Sequence, residues 1–148
     1  TYFAIASASQ PATCERLIEM SKGAASSPSQ SNATSSLAPA AVVMRSSQEV
    51  LDYSPTACHT ARRMVRRAWP GPTHFVLPGD HPDSLLSRLH ESARTLITDR
   101  DRYVRLCRPM HPSIQEIARL AAGPLIALPL RNQDDNTPAV TAKAAMRA

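Results

Sequence analysis

The sequence is a succession of apolar runs of strand length and stretches of helical period, with proline or glycine at most of the junctions. Four or five apolar residues bounded by breakers fit a buried strand, whereas apolar residues recurring three and four apart fit one face of a helix. Thr1 to Ile5 reads as a strand, and Pro11 opens a helix on which Cys14, Leu17, Ile18 and Ser21 share a side. Ala41 to Met44 is the next strand, and Ser46 with Glu49 makes a capping-box pattern for a short helix. Ser54 and Pro55 start a longer helix that must end near Trp69, because Pro70-Gly71-Pro72 follows. Phe75 to Pro78 is a strand, and His81-Pro82 opens a helix with Leu85, Leu86, Leu89 and Ala93 on one side. Thr95 to Thr98 and Tyr103 to Cys107 read as a hairpin around the polar turn Asp99 to Arg102. Pro112 starts a helix with Ile114, Ile117, Ala118, Leu120 and Ala121 inward, Gly123-Pro124 stops it, and Leu125 to Leu128 is a buried strand. The Ala-rich tail from Thr137 reads as a further helix. Alternating strands and helices without repeats predict a single α/β or α+β domain over residues 1–148, with a mixed sheet and flanking helices.

Composition narrows the core. Of 148 residues 43% are apolar, but 23 are Ala and only 4% are aromatic, so the core is expected to be thin and built from small groups. Residues 21–36 hold seven Ser and no Leu, Ile, Val or Phe, too little apolar surface to offset the entropy of ordering, and are expected to be a flexible insert. No run reaches the roughly 18 to 20 apolar residues of a membrane span, and no signal-peptide layout is present. No membrane partner is expected. Three scattered cysteines, Cys14, Cys58 and Cys107, read as free thiols in a reducing, cytoplasmic compartment. The chain opens at Thr1 inside an apolar run, so its N-terminus reads as cut.

The net charge is +5, and 15 of the 17 basic residues are Arg. A guanidinium grips phosphate or carboxylate through two parallel hydrogen bonds, which suits nucleotide or nucleic-acid ligands; a biased genomic composition also enriches Arg and Ala together. Arg62, Arg63, Arg66 and Arg67 fall within one helical arc of roughly 140°, opposite Ala61, Met64, Val65 and Ala68. That face is either solvated or in contact with RNA phosphates. Phosphate-loop, dinucleotide, nucleophile-elbow and zinc-protease motifs are absent. The five His and three Cys lack ligand spacing, so no protein-bound metal site is expected. His81 and His111 each precede Pro at a helix start and read as cap or loop residues.

Four segments carry a resemblance through their order and spacing. They are Thr1-Tyr2-Phe3-Ala4-Ile5, Arg16-Leu17 to Lys22-Gly23, Trp69-Pro70-Gly71-Pro72 with Phe75-Val76-Leu77-Pro78, and Arg108-Pro109-Met110-His111-Pro112 ahead of Gly123-Pro124-Leu125. Together they resemble the YrdC-like family of threonylcarbamoyl-AMP synthases, which reads roughly T-V-Y-G-L, L-K-G-R, W-P-G-P-L-T-L-V-L, R-x-P-x-H-P and P-L-x-A-x-S-A-N. The resemblance runs from Thr1 to about Thr141 and is poor in the Ser-rich insert and over residues 83–102. It implies a YrdC-like twisted open mixed sheet with a basic cavity. It further implies a nucleotidyltransferase that condenses L-threonine, bicarbonate and ATP, with Mg²⁺, into threonylcarbamoyl-adenylate for the t6A modification of tRNA. By that likeness Thr1, Phe3 and Lys22 would bind substrate, and Lys22, Arg108 and Asn132 would bind nucleotide.

The departures define an alternative. Ala24 stands where the family has the Arg of L-K-G-R, Leu130 near its Ser, His74 at its Thr, and Cys107 at the Arg before P-x-H-P, with Arg105 and Arg108 as candidate substitutes. The strand and P-T-[DE] element that precede T-V-Y in the family are missing from this sequence. These changes imply low synthase activity, or a catalytically inactive YrdC-like module that binds tRNA or double-stranded RNA through its basic surface.

Overall fold

The structure is a computed structural model that describes residues 3–23, 40–130 and 146, without the side chains of 21–23. Five strands form one sheet: β1 (Phe3–Ser7), β2 (Ala41–Val43), β3 (His74–Pro78), β4 (Tyr103–Cys107) and β5 (Leu125–Pro129). Their order is β1-β5-β2-β4-β3. Only β2 and β4 run parallel; the other pairs are antiparallel. The helices are α1 (Pro11–Gly23), α2 (Val50–Tyr53), α3 (His59–Ala68), α4 (Glu91–Ile97) and α5 (Pro112–Leu120), with a 3₁₀ turn at Leu85–Arg88.

The pleat divides the strands between two unlike environments, because successive side chains leave opposite faces of a sheet. Val42, Leu77, Val104, Leu106, Ile126 and Leu128 point to one face. There they meet Cys14 and Leu17 of α1, Tyr53 of α2, Val65 of α3 and Leu96 and Ile97 of α4 in the main core. Their neighbours Ala41, Val43, Cys107, Leu125 and Ala127 point to the other face, where Ala118 of α5 packs with Ile114 and Ala121 beside it. Four helices thus cover one face, and among the described residues α5 is the helix on the second.

Several expected elements differ, each for a local reason. Thr95 to Thr98 is not a strand: α4 continues through Ile97, because Ala93, Leu96 and Ile97 sit three and four apart and all reach the core. Only Thr98 pairs across the turn, in a single bridge to Val104. The helix expected from His81-Pro82 is split, since Leu89 and His90 are extended between the 3₁₀ turn and α4. Ser84 caps that turn by accepting from the Leu86 amide while its hydroxyl donates to the Tyr53 carbonyl at 2.7 Å, a tie across the core.

Helix α3 starts at His59 rather than at Ser54, with Cys58 Sγ accepting from the Ala61 amide at its N-cap. Ser54 to Ala57 forms a turn instead. Met64 is 55% exposed, so the inward side of α3 is Val65 with Ala61 and Ala68 at its borders. The expected box between Ser46 and Glu49 does not form: α2 begins at Val50, and the Glu49 carboxylate binds the Arg45 amide and guanidinium. On α5, Ile117 and Leu120 face outward, and only Ala118 is buried. Helix α1 runs to Gly23, so the first three residues of the expected insert are helical. The rest of that insert and nearly all of the Ala-rich tail lie outside the described residues.

The corrected faces rank two substitutions. Ile126 is fully buried and Leu120 is 68% exposed. Ile126→Ala should cost about 2 to 5 kcal/mol through lost burial and the cavity left behind. Leu120→Ala should stay within roughly 0.5 kcal/mol. Urea denaturation of both variants checks this, and a larger loss at Leu120 would return that side chain to the core.

Candidate functional site

The second sheet face collects the chemistry. Strand β4 alternates between Val104 and Leu106, both fully buried in the main core, and Arg105 and Cys107 on the opposite side. Across β3, His74 stands opposite Cys107 and Val76 opposite Arg105. On the inner strands Ala41 and Ala127 are paired, and Ile5 of β1 pairs with Ala127. Arg105 therefore rises beside a floor of small apolar residues. Phe3, Ile5, Val76 and Tyr103 on this face are all more than a third exposed.

Arg108 follows at the carboxyl end of β4, beside that of β2, and the Met44 amide donates to the Cys107 carbonyl at 2.8 Å. Ligands of open α/β sheets bind at the carboxyl ends of their parallel strands. The Trp69-Pro70-Gly71-Pro72 segment, with a cis Trp69-Pro70 peptide, is tied to the same place by a 3.0 Å hydrogen bond from the Gly71 amide to the Arg108 carbonyl. A side chain at Gly71 would collide with the Ala68 carbonyl, so the tight passage out of α3 requires glycine. Trp69 anchors the segment from below: its indole N–H donates to the Thr73 carbonyl at 2.8 Å, and its ring meets Phe75 edge-on at 5.5 Å. Beyond Arg108, Gln115 Nε2 holds the Pro109 carbonyl at 2.8 Å ahead of the N-terminus of α5, which has no side-chain cap. That end carries the positive pole of the helix.

The electrostatics of this region are unbalanced. The Nε atoms of both Arg105 and Arg108 are buried and have no hydrogen-bond partner among the described residues. Neither residue is in an ion pair there; the pairs present are Arg45 with Glu49, His81 with Asp83 and Arg119 with Glu116. Desolvation on the sheet, and then the Arg105 cation, hold the His74 pKa below its ordinary value. Burial pushes the Cys107 thiol up to about 11, so it stays protonated at neutral pH and is a packing residue rather than a nucleophile. An open groove of about 640 Å³ along the connection between β3 and β4, which carries the 3₁₀ turn and α4, has Arg94, Arg100 and Arg102 in its walls together with Asp80, Glu91 and Asp99. Its three arginines are matched by three carboxylates, whereas Arg105 and Arg108 have no carboxylate partner among the described residues.

The expected site residues divide accordingly. Phe3 lies on this face, paired with Pro129. Arg108 lies at its carboxyl end. Lys22 is in the last turn of α1, and its side chain, like Thr1, Ala24 and Asn132, lies outside the described residues. The four arginines of α3 are not part of this face, because Val65 packs α3 onto the opposite one. Arg62 is further engaged through Nε to the Ala57 carbonyl at 2.7 Å, while Arg63, Arg66 and Arg67 are exposed. Arg105 and its coupling to His74 were legible only as the polar member of an alternating strand, since their apposition comes from the β3–β4 register.

The fold is an α+β arrangement of an open, mixed five-stranded sheet with flanking helices, of the YrdC-like kind. Among solved structures the chain is similar to a doubly substituted variant of Sua5 from P. abyssi, with a TM-score of 0.67 at 19% identity. The match covers 97% of this chain and 37% of that one, so the chain spans little more than a third of its structural neighbour. No family model and no curated protein matches the sequence. Among the described residues no helix is long and apolar enough to cross a membrane, and no group of three or more His, Cys, Asp or Glu is arranged to hold a metal ion.

The lowered His74 pKa has a sign that can be checked. Because the folded ring resists protonation, the unfolded chain takes up the proton first as pH falls below about 6.5, and stability declines until the folded ring titrates as well. Arg105→Gln should raise the His74 pKa and lessen that acid loss. NMR titration of the ring reads it directly, and an unmoved pKa would mean that His74 does not sense the Arg105 charge.

Proposed function

We propose that the face around Arg105 is the ligand site of a threonylcarbamoyl-AMP synthase-like domain that acts in the t6A modification of tRNA in the cytoplasm. Its ligands are ATP, L-threonine and bicarbonate. The observation that carries this reading is the pair of buried, unpartnered Nε atoms on Arg105 and Arg108. A desolvated cationic donor with no partner costs about 1 to 3 kcal/mol or more, and an anion seated on the face removes that penalty. The YrdC-like fold and the order of the sequence motifs support a phosphate or carboxylate as that anion.

Arg105 takes the role of the family Arg that Cys107 replaces. It is two residues away on the same side of the strand, so the cation is moved along the face rather than lost. Phe3 stands three strand spacings across and two residues along from Arg105, roughly 16 Å at 4.8 Å per strand and 3.4 Å per residue, a span that fits a nucleotide bearing an acyl group. In this scheme Arg105 and Arg108 hold the phosphates, Asn132 faces the nucleotide, and Thr1 and Phe3 line the threonine end, whereas Lys22 is carried by α1, which packs on the opposite face of the sheet. Magnesium enters as part of the substrate MgATP. The protein supplies position and charge: the carbamate oxygen attacks the α-phosphorus and pyrophosphate leaves, with no protein nucleophile.

MgATP with threonine should raise the melting temperature by mass action, and threonine-dependent pyrophosphate release should be measurable but slow. Arg105→Gln and Arg108→Gln should each weaken ATP binding about tenfold or more, the scale of one charge-assisted hydrogen bond. Unchanged affinity in both variants would remove the phosphates from this face.

A second reading, an inactive module that binds tRNA or double-stranded RNA, is favoured by the exposed Arg63, Arg66 and Arg67, which have no ion-pair partner among the described residues. Each phosphate that an arginine neutralises releases counterions. Replacing these three residues by Gln should therefore flatten the slope of log affinity against log salt by about one for each phosphate no longer neutralised. An unchanged slope assigns them to solvent.

A further inference from the structure

We propose that His74 is a third contact for the anion on the Arg105 face, and that its ring takes up a proton as the anion binds. The inference rests on the phosphate site proposed above and adds to it a residue and a proton. Both sequence neighbours of His74 are held by one side chain. The Thr73 carbonyl accepts from the Trp69 indole at 2.8 Å, and the Phe75 ring meets that of Trp69 edge-on. His74 is therefore fixed as the first residue of β3, just past the point where the Gly71 amide binds the Arg108 carbonyl.

The register decides which side chains approach it. Gly79 donates from its amide to the Arg102 carbonyl at 2.9 Å and, one step beyond Pro78 and Tyr103, forms a hydrogen-bonded pair of the β3–β4 ladder. Such pairs alternate with closer, non-hydrogen-bonded ones. Leu77 with Val104 and Phe75 with Leu106 are thus the bonded pairs, while Val76 with Arg105 and His74 with Cys107 are the close ones. His74 lies one diagonal step from Arg105 on the same face, with Cα atoms roughly 7 to 8 Å apart. An oxyanion that accepts from each side chain at about 2.8 Å fits between them.

The surroundings set the charge on the ring. Among the described residues the ring has no hydrogen-bond or ion-pair partner. From β4 it meets Arg105 and the Cys107 thiol, which burial keeps protonated, and Arg108 stands at the end of that strand. On β3 itself the residues sharing this face, Val76 and Pro78, are uncharged. On α5, Glu116 and Arg119 are exposed and pair with each other at 2.7 Å, and His111 is exposed at the N-cap. Desolvation, and then the Arg105 cation, favour the neutral ring. An anion seated on Arg105 reverses that balance, because it offsets the cation and turns negative charge toward the ring. A Lys or Arg at this position would set a permanent like charge beside Arg105. Histidine becomes a cation only when the anion is there to pair with it.

Two measurements test the coupling. Sulfate carries a fixed charge near neutral pH, so NMR titration with saturating sulfate, against chloride of equal ionic strength, isolates the ring. The His74 pKa should move from below its ordinary value to above about 6.5, with His74→Gln assigning the resonance. By linkage, the chain should bind MgATP on the order of tenfold more tightly at about pH 6 than at about pH 8, the scale of one pKa unit, and His74→Gln should lose that advantage. A His74 pKa that stays in place when sulfate is bound overturns the role of His74 and leaves the phosphate site standing. So does MgATP binding with the same pH dependence in the chain and in His74→Gln. A chain that binds neither MgATP nor sulfate at either pH overturns the phosphate site, and this inference with it.

Discussion

Val104 and Leu106 are fully buried against the helices of the main core, and from that one fact the pleat obliges Arg105 and Cys107 to leave the other side of β4. A shift of one residue in pairing would exchange the two sets and drive a guanidinium into an apolar core, at a cost of several kcal/mol. The register of β4 with β2 and β3 is therefore locked. With it are fixed the position of the Arg105 cation, its neighbour His74 and the approach of the Trp69-Pro70-Gly71-Pro72 segment to Arg108.

The two faces differ because their helices differ. Helices α1 to α4 bring branched and aromatic side chains to the first face, where Tyr53 and Trp69 are almost fully buried. On the second face α5 brings mainly Ala118, Ile114 and Ala121 against Ala41, Ala127 and Val43. Small residues leave a shallow layer that does not cover Arg105. The Arg105 and Arg108 Nε atoms are buried without a hydrogen-bond partner among the described residues, an imbalance that an anion seated on this face would relieve. The Arg-rich side of α3 belongs to the opposite side of the sheet, so the chain carries two separate basic regions.

How much was legible depended on whether a signal was local. Pro11 and Pro112 marked the first residues of α1 and α5, and the apolar runs at Ala41, Phe75, Tyr103 and Leu125 all became strands, since each signal acts within a few residues. Thr95 to Thr98 misled because its β-branched residues favour a strand while Ala93, Leu96 and Ile97 continue a helix into the core, and burial outweighs propensity. Ile117 and Leu120 misled for the opposite reason. Their spacing is helical, but α5 touches the sheet along so narrow a strip that only Ala118 is buried.

The sequence by itself determined the alternation of elements, the excess of arginine and the glycine that the turn at position 71 requires, all properties of adjacent residues; the small groups expected throughout the core line only the second face, while Met44, Trp69, Ile97 and Ile126 fill the main one. Tertiary structure alone decided which arginines share a face. Arg62 and Arg105 are equally basic in sequence, and they part company because Val65 packs α3 onto one side of the sheet while Val104 and Leu106 turn Arg105 to the other. The same holds for His74, whose pKa is lowered in part by a cation 31 positions along the chain, brought near by β3–β4 pairing. Charge and propensity are local, but the field a side chain feels is set by which strands pair and in what register.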